Sequence, residues 1–179
     1  PGFNAAYGVP LNIADSQSDL WKHLADPTGK DEMTTARDLA DKIKNALNHF
    51  DGISRRQVVV IFIPDKYEPY THVETETEVF DLHDYIKAYA AQKQLATQFL
   101  RESTFADTLT CQVNWWLSLS FYVKSHRTPW VLHGLDQETA FVGIGYSVKK
   151  KDRNNHVALG CSHIYNAYGQ GLKYRLTKV

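Results

Sequence analysis

Apolar residues recur at helical spacing and then at strand spacing in the first third of the chain. Over residues 33–50 they lie three and four positions apart, and Gly52 follows, which predicts a helix with one apolar face. Residues 58–63 form a continuous β-branched and aromatic run ended by Pro64, which predicts a strand covered on both faces. Residues 1–31 keep no period, so we expect an irregular lead-in with one short strand.

The same alternation continues toward the middle of the chain. Residues 65–80 are polar and predict a loop, after which Asp81 is suited to cap a helix over residues 82–92. Residues 95–100 predict a second short strand, and residues 105–124 predict a long helix whose crowded apolar positions indicate burial. Strand, helix, strand, helix is the order of a doubly wound α/β unit.

The pattern changes to strands alone after Pro129. Three β-rich stretches, residues 140–148, 156–165 and 171–176, are separated by short connections. Short connections favour antiparallel pairing, because a parallel pair needs a crossover of about a dozen residues. We therefore expect a second folding unit that begins near residues 125–132.

Composition and charge narrow the possible functions. The chain has 179 residues, 43% of them hydrophobic, which is enough for one large or two small cores. Twenty basic and twenty acidic residues cancel, so binding of nucleic acid must depend on local patches. The two cysteines, Cys111 and Cys161, lack metal-site spacing and favour a reducing, cytoplasmic location. The sequence contains no run of about eighteen apolar residues, so it predicts no membrane span.

Four polar residues predict a socket for a phosphate group. His83 and Lys87 are four apart, on one face of the predicted helix near its N-terminal end, where free N–H groups favour anions. Gln98 ends the following strand, and Lys124 ends the long helix. Each charge-assisted contact is worth roughly 1.5 to 3 kcal/mol. On spacing alone, a solvated helix face and a lysine that complements the helix dipole explain the same residues.

Two other interpretations concern neighbouring residues. Asp81, His83 and Asp84 could ligate a metal, as in a metal-dependent phosphohydrolase or nuclease, but that chemistry needs further histidines on buried helices. Trp115 and Trp116 could stack on nucleic-acid bases, but within an apolar helix a place in the core is favoured.

Several motifs resemble the prokaryotic Argonaute family. Residues 83–100, followed by residues 115–124 and the tripeptide Thr128-Pro129-Trp130, are similar to the MID domain of these proteins. Residues 142–147 resemble the opening strand of their PIWI domain, which has an RNase H-like fold. The resemblance covers roughly residues 55–175.

The resemblance implies a domain order and a fold class. Residues 1–31 would be the lead-in, and residues 32–128 an α/β, Rossmann-like MID domain. Residues 129–179 would form the first antiparallel strands of a truncated RNase H-like PIWI domain.

The resemblance also assigns roles to residues. His83, Lys87, Gln98 and Lys124 correspond to the positions that hold the 5′ phosphate of a guide strand in the family, with a divalent cation such as Mg²⁺ bridging that phosphate. Slicing members carry an aspartate on the first PIWI strand to bind catalytic metal ions. Gly145 occupies that position here, so the resemblance implies a protein that is not an enzyme and does not slice.

The partners that follow are those of short, catalytically inactive Argonautes in prokaryotic defence. They are a short guide RNA or DNA, complementary target DNA from an invader, and an effector protein with a TIR or sirtuin-type domain. Two alternatives stay open. One is the metal-dependent phosphohydrolase or nuclease, and the other is a protein-interaction module that contacts an effector.

Overall fold

The computed structural model describes residues 2–54, 56–105, 110–125, 127–151 and 154–178, and within its last two ranges it describes only the backbone of residues 147–151, 154–159 and 176–178. The chain divides into two compact units, residues 1–127 and 128–179. The elements of the first unit are, in order, α1 (Phe3–Tyr7), α2 (Glu32–Leu47), β1 (Val59–Ile63), β2 (His72–Glu74), β3 (Val79–Asp81), α3 (Leu82–Gln92), β4 (Thr97–Arg101) and α4 (Thr110–Lys124).

Both core helices begin at an aspartate cap. The Asp31 carboxylate accepts a hydrogen bond from the Thr34 N–H at 2.7 Å, and the Thr34 hydroxyl faces the Asp31 N–H in return, which completes a capping box. The Asp81 carboxylate accepts from the Asp84 N–H at 2.9 Å, as the sequence predicted. The helices bury their apolar faces in one core, formed chiefly by Ala36, Leu39, Ala40, Ile43, Leu47, Leu82, Ile86 and Ala90.

The predicted α/β unit is confirmed by the pairing of its strands. Strand β1 pairs in parallel with β4, with Val59 opposite Thr97 and Ile63 opposite Arg101. Helix α3 lies in the connection between these strands, and α4 follows β4. Strand β4 therefore lies between α3 and α4 along the chain, and both helices can place side chains beside this strand.

The structure corrects the expectations for the lead-in and the polar loop. Residues 2–31 contain the short helix α1 and no strand. Residues 65–80 are not a plain loop, because they form a 3₁₀ helix (Asp65–Tyr70) and most of the β2–β3 hairpin. Polar side chains conceal the hairpin in the sequence, since its strands are only three residues long.

Two predictions of burial, for both faces of β1 and for α4, are also wrong. On β1, Ile61 and Ile63 are buried, but Val60 is 45% exposed and Phe62 51% exposed, so the described structure covers one face of this strand. Helix α4 contains no buried residue, and its tryptophans, Trp115 and Trp116, are more than half exposed. Apolar composition predicted burial, but burial depends on a packing partner that composition does not reveal.

The second unit is the predicted antiparallel meander. Its strands are β5 (Phe141–Lys151), β6 (Asn154–Tyr165) and β7 (Gly171–Lys178), which pair in the order β5-β6-β7. Both pairings are antiparallel, and each register contains one irregularity. Among the described residues, no helix combines the length and apolar character needed to cross a bilayer.

The burial of α3 leads to a stability prediction. Leu82 is 1% exposed, so we expect Leu82→Ala to lower the free energy of unfolding by about 2 to 4 kcal/mol through lost burial and a residual cavity. Urea denaturation followed by circular dichroism measures this change. Val79→Ala, at a position 59% exposed, is the matched control and should cost less than about 1 kcal/mol. Equal costs for the two variants would contradict the described core.

Candidate functional site

Two lysines meet beside strand β4. Lys87 lies on the second turn of α3, and its ammonium donates to the backbone carbonyl of Thr97 and to the Thr97 hydroxyl, the latter at 3.0 Å. Lys124 ends α4, and its ammonium donates to the side-chain oxygen of Gln98. The Ser120 hydroxyl donates to the same Gln98 oxygen at 2.8 Å. The structure therefore brings together three of the four residues predicted to bind phosphate. We call Lys87 and Lys124 the lysine pair.

The pKa values of both lysines are lowered, chiefly by burial. Burial, followed by the neighbouring Lys87 charge, lowers the pKa of Lys124 to about 8. Burial also lowers the pKa of Lys87, and the contact with Lys124 partly offsets this effect. Lys124 therefore releases its proton first, and Lys87 remains the charged member of the pair. Both shifts would be reversed by an anion placed between the two nitrogen atoms.

The lysine pair lacks the carboxylate partners that other lysines have. Neither member forms an ion pair with any described residue, and their hydrogen-bond acceptors are neutral oxygens of Thr97 and Gln98. Four other lysines each pair with an aspartate: Lys42 with Asp38, Lys44 with Asp41, Lys66 with Asp26, and Lys93 with Asp51. Two half-buried cations without a counter-charge form a site that favours an anion.

Gln98 positions Lys124 rather than facing the anion site with its amide N–H groups. Its nitrogen donates to the Phe99 carbonyl at 2.8 Å, while its oxygen accepts from Lys124 and Ser120. The sequence suggested Gln98 as a hydrogen-bond donor to the anion. In this structure its amide instead fixes the orientation in which Lys124 is presented.

His83 lies next to the lysine pair but does not contact it. Its Nδ1 atom is 3.1 Å from a carboxylate oxygen of Asp84, and its ring centroid is 5.2 Å from that of Phe99. The Lys87 ammonium lies 5.8 Å from the same Phe99 centroid, so both side chains lie near this ring. The sequence placed Lys87 near the N-terminus of α3, but it is the sixth residue of the helix. One of the N–H groups expected to be free at this end, that of Asp84, donates instead to the Asp81 carboxylate.

The proposed metal ligands also lie close together, on the surface. Ligand atoms of Asp81, His83 and Asp84 all lie within 4.8 Å of one another, and His72 Nδ1 is 3.3 Å from Asp81. These residues could hold a cation. However, His83 is exposed and is the only histidine in the described α-helices. The buried helical histidines that a phosphohydrolase site of this kind needs are therefore absent from the described helices.

An open cleft of about 550 Å³ runs beside the site between β4 and α4. Its lining residues are Gln98, Phe99, Leu100, Thr104, Gln112, Val113, Trp116, Leu117 and Ser120. Sequence reasoning did not select Thr97, Phe99 or Ser120 as site residues. Ser120 did carry a signal, because it precedes Lys124 by four residues and so shares its helix face.

The second unit places Gly145 in the middle of β5, opposite Cys161 on β6. A Cβ atom built on Gly145 would lie 3.1 Å from the Cys161 sulfur, so a larger residue would require this side chain to move. Among the described residues, the cluster that could bind a metal ion lies in the first unit and consists of Asp81, His83 and Asp84.

The fold is an α/β unit with a parallel strand pair, followed by an antiparallel three-stranded unit. It is similar to the MID and PIWI regions of Argonaute structures. Aa-Ago with externally bound siRNA matches 80% of this chain at 20% identity, with a TM-score of 0.50. The Aquifex aeolicus Argonaute matches 79% at 20% identity, with a TM-score of 0.48.

The match with a TM-score of 0.50 establishes an Argonaute-like fold. The chain spans about a fifth of the length of each Argonaute, namely 20% and 19%. No family model matches the sequence. No curated relative matches it either.

Proposed function

We propose that this chain binds a nucleic-acid guide and anchors the guide's 5′ phosphate on the lysine pair. The observation that carries the proposal is the pair itself, Lys87 and Lys124, half-buried beside Gln98 with no carboxylate partner among the described residues. Gln98 positions Lys124, and His83 contacts the guide from the far edge of Phe99. The Argonaute solved with externally bound siRNA supports nucleic acid as a partner of proteins with this fold.

The chemistry of a terminal phosphate suits this site. A phosphomonoester carries close to two negative charges at neutral pH and three acceptor oxygens. One charge-assisted contact is worth roughly 1.5 to 3 kcal/mol, so the two lysines supply about 3 to 6 kcal/mol before ordering costs. A 5′ hydroxyl makes no such contacts. The site therefore recognises the end group of the guide rather than its sequence.

The wider function we propose is target recognition without cleavage. A guide RNA or DNA held by its 5′ end pairs with complementary invader DNA, as in a short, inactive Argonaute of prokaryotic defence. Gly145 supports the absence of slicing, because glycine provides no ligand for a catalytic metal ion. An effector partner with a TIR or sirtuin-type domain would then supply any enzymatic activity.

Mg²⁺ does not fit the lysine pair as a protein-held ion. Divalent cations of this kind require several oxygen ligands, usually with carboxylates among them. The Gln98 side-chain oxygen already accepts from Lys124 and Ser120, and the ammonium groups repel a second cation. We therefore propose that the lysines supply the positive charge, and that chelation of Mg²⁺ leaves most of the affinity for the 5′ phosphate intact.

The pKa of Lys124 predicts how binding depends on pH. A bound phosphate stabilises the ammonium form, so the pKa of Lys124 is higher in the complex than its value of about 8 in the free chain. Affinity for the 5′ phosphate is then highest below pH 8, and it falls above pH 8 because Lys124 loses its proton in the free chain. We expect Kd for a 5′-phosphorylated oligonucleotide to rise about tenfold from pH 7.5 to pH 9. A 5′-hydroxyl oligonucleotide is the control, and an equal change for both would contradict the role of Lys124.

The experiment that tests the proposed function compares four single strands of one sequence, RNA and DNA, each with a 5′ phosphate or a 5′ hydroxyl. Fluorescence anisotropy with the 179-residue chain gives Kd in MgCl₂ and in EDTA. We expect the phosphorylated strands to bind at least about tenfold more tightly, in either buffer. Equal affinity for phosphorylated and hydroxyl ends would refute the proposal.

A further inference from the structure

Lys124 differs chemically from an ordinary surface lysine. Its nitrogen is presented by Gln98 and Ser120, beside the open cleft that both residues line. The charged group that faces it from α3 is Lys87, while β4 and α4 contribute the neutral Gln98 and Ser120 among the described residues. A pKa of about 8 leaves roughly a tenth of Lys124 as the uncharged amine at pH 7. An uncharged amine has a free lone pair and is a nucleophile.

The two members of the lysine pair have complementary properties. Lys87 keeps its proton longer and can hold an anion, whereas Lys124 yields its proton and can attack an electrophile. A reagent that joins a phosphate group to an electrophilic carbon uses both properties at once. Acyl phosphates have this composition, because their activated carbonyl is bonded directly to a phosphate oxygen.

We propose that Lys124 is a modification site that small acyl phosphates acylate after docking their phosphate on Lys87, so that Lys124 keeps its lone pair. The proposal rests on the proposed function in one respect, because both require Lys87 to bind phosphate. The neutral Lys124 nitrogen attacks the acyl carbon, the carbon–oxygen bond to phosphate breaks, and phosphate leaves with the bonding electrons. The proton released by the nitrogen is taken up by the departing phosphate, so an amide and hydrogen phosphate are the products.

Acylation would turn off the site that it modifies. The amide nitrogen no longer carries a charge, so a guide phosphate loses one of its two cations. The acyl group also fills space between Lys124 and the cleft beside Gln98. Acyl phosphates would then regulate guide loading.

Acetyl phosphate is the probe that tests the proposal. The chain is incubated with it at pH 7.5, and peptide mass spectrometry gives the initial rate of acetylation at each lysine. Exposed Lys30, whose side chain forms no ion pair with a described residue, is the internal reference. We expect Lys124 to react about tenfold faster than Lys30, because burial and the Lys87 charge lower the pKa of Lys124 and the reagent docks beside it. Inorganic phosphate should reduce this advantage by competing for Lys87.

Two variants test the contribution of Lys87, which both docks the phosphate and lowers the pKa of Lys124. Lys87→Met should bring the rate at Lys124 close to that at Lys30, whereas Lys87→Arg, which keeps the cation, should preserve the advantage. Equal rates at Lys124 and Lys30 in the unmodified chain overturn the proposal, as does a Lys124 advantage that inorganic phosphate leaves unchanged.

Oligonucleotide binding by the unacetylated chain is measured separately. Selective, phosphate-suppressed acetylation without any preference for 5′-phosphorylated strands would refute the guide function and support the modification site. The reverse result would refute the modification site alone.

Discussion

The substitution Gln98→Glu is expected to abolish the preference for a 5′-phosphorylated guide without lowering the stability of the chain. The Gln98 oxygen already accepts from Lys124 and Ser120, so a carboxylate in this position gives the lysine pair the counter-charge that it lacks. The carboxylate would repel phosphate and occupy the same ammonium group. We expect Kd for a 5′-phosphorylated strand to rise roughly a hundredfold, to the level of the 5′-hydroxyl strand.

Stability separates this effect from misfolding. The new ion pair raises the pKa of Lys124, while the hydrogen bond from the Gln98 amide to the Phe99 carbonyl is lost at a cost of about 1 kcal/mol. Because the charge-assisted contact is worth more, the urea midpoint should not fall. Gln112→Glu, in the same cleft, is the matched control and should keep the preference for phosphate. Retention of the preference in Gln98→Glu would contradict the site.

The second large effect is expected for Lys87→Met. This change keeps an unbranched side chain, one atom shorter, but removes the cation and the repulsion that it exerts on Lys124. Affinity for a 5′-phosphorylated strand should fall roughly tenfold to a hundredfold. At the same time the pKa of Lys124 should rise above 8, because one of the causes of its depression is gone.

Both effects of Lys87→Met can be measured on the folded chain. Anisotropy gives the affinity, and an NMR titration of ¹³C-labelled lysine gives the pKa of Lys124. Lys30→Met removes an exposed charge of the same kind and is the control, with little expected change in either quantity. A fall in affinity by the same factor for both variants would show that only net charge matters and that the lysine pair is not a site.

Local signals account for the parts of the fold that the sequence predicted. The Asp81 cap acts within three residues, so the start of α3 can be read from the chain. Asp31 caps α2 in the same way, although the sequence pattern did not predict this cap. Alternating strand and helix patterns likewise predicted the parallel β1–β4 pair. Burial of α4 could not be predicted in this way, because Trp115 and Trp116 are apolar whether or not another element covers them.

The candidate site was predictable in composition but not in arrangement. Helical and strand spacing predicted Lys87, Gln98 and Lys124 as site residues, and the fold places them in one cluster. Their roles depend on which face of β4 each neighbour occupies. Lys87 contacts Thr97 and lies near Phe99, while α4 contacts Gln98, as alternation along a strand requires. No spacing rule shows that the Gln98 amide is turned toward Lys124 and the Phe99 carbonyl.

The most direct test of the central claim is a thermodynamic cycle between Lys124 and the 5′ phosphate. Kd is measured for four combinations: the unmodified chain and Lys124→Met, each with the same oligonucleotide carrying a 5′ phosphate or a 5′ hydroxyl. If Lys124 contacts the phosphate, the substitution weakens binding of the phosphorylated strand and hardly affects the other, with a coupling energy of about 1.5 to 3 kcal/mol. A coupling energy near zero would contradict the claim that the lysine pair holds the end of the guide.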